Sequence, residues 1–188
     1  MTAAALAFPP EPFDELMLRR AQKGEERAWR ALVTRYQRPV HALIWRLLAG
    51  RARHRVEDLT QETFVRVLRA LPTFDPRGPA TLQTWMLTIA TRLALNELRR
   101  PEAKELAHEP IATERSDASV ERARLGAAIA AGVAALPDAQ RAVFVLREYH
   151  DLEYADIAAA LELDLGTVKS RLNRARASLR DHLMGERP

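Results

Sequence analysis

The sequence predicts an all-α protein made of two small helical domains joined by a flexible linker. Ala, Leu, Arg and Glu dominate the 188 residues, and strand-forming residues never gather into alternating runs. Apolar residues recur at helical spacing on both sides of a charged stretch that has no apolar period. We therefore expect a disordered N-terminus over 1–12, a first domain over 13–101, a linker over 102–118 and a second domain over 119–184.

In the first domain the apolar spacing predicts four helices, at about 13–22, 26–48, 56–70 and 81–100. Pro39 should kink or break the second of them, because proline lacks a backbone donor and its ring clashes with the preceding turn. Three prolines and a glycine within 71–79 exclude helix there. The outward face predicted for the fourth helix consists of Thr84, Thr88, Thr91, Arg92 and Arg99, with Trp85 and Asn96 at its edge.

The second domain is predicted to hold four further helices, at about 119–135, 138–149, 154–161 and 165–183. Asp138 can cap the second of these. The last two are separated by only Glu162, Leu163 and Asp164, which is typical of a helix-turn-helix. Asp164 is a candidate N-cap for the final helix, accepting a hydrogen bond from the backbone of Thr167.

The final helix carries the features of a DNA-reading element. Ser170, Asn173 and Arg174 share the outward face, and Lys169 and Arg171 flank it. Arg can bind guanine through two hydrogen bonds and Asn can bind adenine in the same way, while flanking bases neutralise phosphates. The alternative is an ordinary basic helix face exposed to solvent.

Composition excludes several classes of protein. The formal net charge is +4, which favours a polyanionic partner, and cysteine is absent. The five histidines show no metal-ligand spacing, and no glycine-rich phosphate loop is present, so we predict no enzyme activity, no metal and no cofactor. No uncharged run approaches the ~20 apolar residues of a membrane span, and the N-terminus does not resemble a signal peptide. A cytoplasmic protein is expected.

Two sets of motifs resemble the extracytoplasmic-function sigma factors. Residues 136–144, 154–158 and 166–176 look like their region 4, the helix-turn-helix that reads the −35 element. Residues 57–66 look like their region 2 helix that binds core RNA polymerase, and 84–90 with Asn96, Arg99 and Arg100 look like the helix that reads the −10 element. Two positions depart from the family: Glu162 stands where glycine is frequent, and Glu153 where a Ser or Thr cap is usual.

The resemblance implies a role for each surface. The residues implied to dock on the clamp helices of the largest polymerase subunit are Asp58, Gln61, Glu62 and Val65. Contacts to the −10 element fall to Phe74, Trp85, Thr88, Arg92, Asn96, Arg99 and Arg100. Contacts to the −35 element fall to Thr167, Lys169, Ser170, Arg171, Asn173 and Arg174. Promoter DNA, core polymerase and an anti-sigma factor are the implied partners.

Three other functions stay open at this point. An enzyme would have to turn over a substrate without polymerase. A stand-alone helix-turn-helix regulator accounts for the second domain but leaves the motif at 57–66 without a role. A decoy that only titrates an anti-sigma factor would not need the basic face of the final helix.

Overall fold

The computed structural model describes residues 13–49, 51–100 and 117–185, and within them the chain forms eight α-helices and no strand. The predicted all-α fold is confirmed. The N-terminal segment 1–12 and most of the predicted linker lie outside the described residues. The helices are α1 (Glu15–Gln22), α2 (Glu26–Leu48), α3 (Val56–Ala70), α4 (Leu82–Leu98), α5 (Asp117–Ala135), α6 (Asp138–Glu148), α7 (Tyr154–Leu161) and α8 (Leu165–Gly185).

The effect of the prolines on helix formation was only partly predicted. Helix α2 continues through Pro39, so of the two expected effects, a kink or a break, the break is wrong. Pro39 is buried, as are Tyr36 and Val40 of the same helix, so tertiary burial offsets the cost of the missing backbone donor. One 3-10 turn, Leu71–Thr73, also forms where helix was excluded, because Pro72 sits in its first turn, where no donor is needed.

Helices α1 to α4 form the first bundle, with α2 at its centre in contact with α1, α3 and α4. The central position of α2 is reflected in its burial, since ten of its residues are buried. Trp29 of α2 packs edge-on against Phe64 of α3, with ring centroids 6.4 Å apart. Gln22 ties α1 to the segment after α3 by donating to the carbonyl oxygens of Leu71 and Phe74, at 3.1 and 2.7 Å.

Helices α5 to α8 form the second bundle, in which α8 packs against α5, α6 and α7. Gly132 permits the close approach of α5 and α8, because a Cβ there would lie 2.5 Å from Cδ1 of Leu179. The predicted capping role of Asp138 is wrong: Pro137 occupies the N-cap position, and no side chain caps the helix. The Asp138 carboxylate instead accepts from the guanidinium groups of Arg141 and Arg51.

The two bundles are in contact. Helix α2 packs against α6, and α4 packs against α7. The buried side chains of both bundles belong to one contiguous hydrophobic core. In the part of the chain that the structure describes, the bundles therefore lie against each other, and this contact affects the candidate site.

Candidate nucleic-acid interface

The helix-turn-helix is built as its sequence predicts. The backbone N–H of Thr167 donates to Oδ1 of Asp164 at 2.7 Å, which confirms Asp164 as the side-chain cap of α8. The Thr167 hydroxyl donates to the other carboxylate oxygen at 2.6 Å. These hydrogen bonds, first from the Thr167 side chain and then from its backbone, lower the pKa of Asp164. The start of α8 is thereby fixed relative to the turn.

The core of this motif orients α8. Val168, Leu172 and Ala175 are buried, and α8 contacts α7 and α6, so the opposite face of the helix points to solvent. Ile157 and Ala160 are the buried residues of α7.

The residues predicted to read the −35 element share this outward side. Lys169, Asn173 and Arg174 are exposed, and Ser170 and Arg171 are half-buried. Thr167 differs because its hydroxyl already serves the helix cap. The exposed set combines one amide and two cations on a single helix face, the chemistry that suits base edges and phosphates of a duplex.

The predicted docking stripe lies on α3. Asp58, Gln61 and Val65 are exposed, and Glu62 is half-buried. Asp58 accepts from Arg55 at 2.6 Å, and Glu62 accepts from Arg66 at 2.8 Å. Leu68, which sequence reasoning missed, adds a second exposed apolar side chain beside Val65. This surface of α3 is thus polar and acidic in its first half, at Asp58, Gln61 and Glu62, and apolar in its second half, at Val65 and Leu68.

Part of the outward face predicted for α4 is wrong. Thr84 and Thr91 are buried, in a helix that packs against α2, α3 and α7. Thr88 is half-buried, and its hydroxyl donates to the Thr84 carbonyl at 2.8 Å. Helix α4 is therefore enclosed more fully than its sequence indicates, and its exposed polar side chains lie mainly towards the C-terminal end.

Phe74 and Trp85 lie together at the start of α4. Their ring centroids are 4.9 Å apart, with an angle of 36° between the planes. Both rings are half-buried and pack against the hydrophobic core. Phe74 itself belongs to the proline-rich segment 71–79, so this aromatic pair is the candidate surface for stacking with an unstacked base.

A second group of candidate polar residues lies at the C-terminal end of α4. Asn96, Arg99 and Arg100 are exposed, and Arg99 donates to the Asn96 side-chain oxygen at 3.2 Å. Arg100 and Arg55 both pair with Glu97, which the sequence analysis missed, at 3.2 and 3.3 Å. Asn96, Arg100, Asp58 and Glu62 line one groove of about 450 Å³ between α3 and α4. The candidate docking and DNA-reading surfaces therefore meet along that groove.

Arg92 is exposed, as predicted, but it is engaged by the second bundle. Its guanidinium lies 2.9 Å from a carboxylate oxygen of Glu162 in the helix-turn-helix turn. The backbone of Glu162 is left-handed, with φ 56° and ψ 49°. No local sequence signal predicts this pair, because its partners are far apart in the chain.

These surfaces have the chemistry expected of a helical DNA-binding protein that has a second surface for a protein partner. Two family profiles match the chain: "Sigma-70 region 2" over residues 32–104 and "Sigma-70, region 4" over 127–179. The chain belongs to the extracytoplasmic-function group of the sigma-70 family, whose members are non-enzymatic transcription initiation factors.

Several characterised proteins are similar over most of the chain. It is 37% identical to SigE of Mycolicibacterium smegmatis over 163 residues, an alignment that spans 83% of this chain and 62% of that protein. It is 34% identical to the sigma-H factor of Pseudomonas aeruginosa and 33% to the sigma-E factor of Escherichia coli, with 88% of this chain and 91% and 92% of those proteins covered.

Solved structures share the fold. CnrH, solved in complex with the cytosolic domain of CnrY, is 27% identical, with a TM-score of 0.65 over 93% of this chain and 99% of that one. The sigma factor RpoE of Bartonella quintana, solved with the anti-sigma factor NepR, is 21% identical, with the same TM-score over 84% and 98%. The second likeness concerns the fold alone.

Membrane spans and metal sites are both missing from the described residues. None of the helices in those ranges has the length and apolar character needed to cross a membrane. Over the same residues, no cluster of His, Cys, Asp or Glu could hold a metal ion.

Proposed function

We propose that this chain directs core RNA polymerase to a defined set of promoters, with 13–101 acting as region 2 and 119–184 as region 4. The observation that carries the proposal is the exposed face of α8, where Lys169, Asn173 and Arg174 stand clear of a helix-turn-helix core. Such a face fits the major groove, and its cations would release counterions from a −35 duplex.

The acidic and apolar stripe on α3 supports the second half of the proposal. Asp58, Gln61, Glu62 and Val65 lie on an uncovered helix surface that fits the clamp helices of the largest polymerase subunit. Asn96, Arg99 and Arg100, at the adjacent end of α4, would hold the strand of an opened −10 element. Phe74 and Trp85 would offer an aromatic edge to an unstacked base, and Thr88 and Arg92 would contact the strand between these groups.

An anti-sigma factor is the proposed regulator, and the cytoplasm is the proposed site of action. One structural neighbour was solved with an anti-sigma factor, and the other with the cytosolic domain of CnrY. A protein that binds core polymerase and chromosomal DNA must act in the cytoplasm, where both are found.

Run-off transcription with purified core polymerase and a promoter library tests the proposal. The full chain should yield transcripts from a subset of promoters that share −35 and −10 sequences. Core polymerase alone is the control. A folded chain that binds core polymerase but yields no promoter-specific transcript would contradict the proposal and favour the decoy.

A further inference from the structure

We infer that Glu162 holds the second bundle against α4 through an intramolecular ion pair with Arg92. We call this arrangement of the free chain the closed state. The inference rests on the proposed function, which gives Arg92 a role at the −10 element. Arg92 Nη2 lies 2.9 Å from Oε1 of Glu162, and its Nε lies 3.5 Å from the carbonyl oxygen of Ala160. The turn of the DNA-reading motif in one bundle thus engages the DNA-reading helix of the other.

Glu162 is an unfavourable residue for its own turn. Its φ of 56° lies in the left-handed region, where a β-carbon is destabilising and glycine carries no such penalty. Its carboxylate nevertheless forms an ion pair with Arg92 on the first bundle. A side chain that strains its own turn but bonds across the interface indicates a role in closure rather than in the turn.

The contact between the bundles has a firm part and a labile part. Arg141 of α6, whose side chain is 2% exposed, donates to the Leu47 carbonyl oxygen of α2 at 2.9 Å. The side chains of Arg92 and Glu162 are 52% and 77% exposed. Solvent and salt therefore screen the ion pair of Arg92 with Glu162. Its loss should raise the ratio of open to closed molecules only about two- to fivefold.

Closure also covers part of α4, because α4 contacts α7 of the second bundle directly. Separation of the bundles would release Arg92 from Glu162 and uncover this part of the helix. Binding to polymerase, which must hold the two DNA-reading helices apart at a promoter, would supply the free energy for opening.

The absence of cysteine permits a direct test on the full chain. Arg27→Cys on α2 and Ser178→Cys on α8, both at exposed positions, accept a dye pair for single-molecule energy transfer. Glu162→Gln should raise the open-to-closed ratio about two- to fivefold. At 1 M salt the ratio of the wild type should approach that of Glu162→Gln, because salt screens the ion pair. The matched control is Glu153→Gln, which removes the same charge from a pair within the second bundle, Arg147 to Glu153 at 3.1 Å. Equal ratios for Glu162→Gln and Glu153→Gln would overturn the inference.

Two further variants separate closure from folding. Glu162→Gly removes the ion pair and the left-handed strain together, so its urea midpoint should rise while the open fraction also rises. A higher midpoint with an unchanged open fraction would show that Glu162 acts only in its turn, and would overturn closure. The charge swap Arg92→Glu with Glu162→Arg should restore the closed fraction, and failure to restore it would count against a direct ion pair.

Binding of a labelled oligo-dT 12-mer distinguishes failure of closure from failure of the proposed function. Glu162→Gln and Glu153→Gln change the net charge equally, so a tighter Kd for Glu162→Gln alone, by about two- to threefold, reports release of Arg92. An open-fraction shift with equal Kd values would support closure but remove Arg92 from the DNA contacts. Unchanged energy transfer with normal promoter-specific transcription would refute closure and leave the proposed function intact.

Discussion

Arg141 in α6 donates a hydrogen bond from Nε to the carbonyl oxygen of Leu47, in the last turn of α2, at 2.9 Å. Its Nη1 donates to the carbonyl oxygens of Ala134 and Leu136, at 3.1 and 2.7 Å. The last carbonyls of a helix have no partner within the helix, and a cation there is favoured by the helix dipole. The buried guanidinium of Arg141 therefore donates to carbonyl oxygens at the C-terminal ends of α2 and α5 and joins the two bundles.

Replacement of Arg141 by methionine should lower the free energy of unfolding by about 2–4 kcal/mol, because the buried carbonyl oxygens of Leu47 and Leu136 would lose their donor and the Asp138 carboxylate would lose one of its two. Urea unfolding followed by circular dichroism measures the loss. Arg147→Met is the control, since Arg147 also donates to a backbone carbonyl but is half-exposed, and it should cost under about 1 kcal/mol. Equal losses for the two variants would show that burial of Arg141 contributes nothing special.

His150 should make stability depend on pH. Burial, and secondarily the charge of Arg46, lowers its pKa from 6.5 to about 3. The unfolded chain takes up a proton below pH 6.5, whereas the folded chain does not until about pH 3. The stabilisation is therefore fully present above pH 6.5 and is lost progressively as the pH falls towards 3, with about 1.4 kcal/mol lost at pH 5.5.

Urea unfolding at about pH 7.5 and about pH 5.5, on either side of the ordinary histidine pKa, measures this contribution. His150→Leu should remove most of the difference between the two pH values, because the buried position then has nothing to protonate. His54→Gln, at an exposed position, should keep it. A His150→Leu chain that loses as much stability as wild type between the two pH values would assign the pH dependence to other groups.

Local patterns predicted the elements well where packing follows from periodicity. The bounds of α2, α3 and α7 match the apolar spacing, and the cap at Asp164 follows from its position before Thr167. The all-α fold followed from the composition, the helical spacing of apolar residues and the absence of alternating strand patterns. Each of these features depends on residues a few positions apart.

The remaining features depend on residues far apart in the chain. Thr84 and Thr91 were expected outside because the sequence of α4 does not reveal how α2, α3 and α7 pack around it. The Glu162 pair with Arg92 and the Arg141 bond to Leu47 are likewise contacts between bundles. Periodicity within one helix cannot identify which face a distant helix will cover.

Charge reversal on α3 should weaken binding to core polymerase. Glu62→Lys places a cation in the acidic stripe, so the Kd for core polymerase should rise about tenfold, measured by fluorescence anisotropy of the labelled chain. Glu57→Lys, an equal charge change on the same helix outside the predicted contacts, should alter it much less. An unchanged Kd for Glu62→Lys would remove that carboxylate from the docking surface.

Truncation of Arg174 should weaken the −35 contact without affecting assembly with polymerase. Arg174 is exposed on the outward face of α8, where a guanidinium can contact a base edge, so Arg174→Ala should cost about 1–3 kcal/mol of promoter affinity. Arg180→Ala removes the same charge further along the helix, beyond the predicted contacts, and should cost less. Promoter binding by the reconstituted holoenzyme measures both, with core affinity as the internal check. Since a base contact discriminates between sequences and a phosphate contact does not, only Arg174→Ala should relax the preference at one −35 position. Uniform weakening at all positions would instead assign Arg174 to a phosphate.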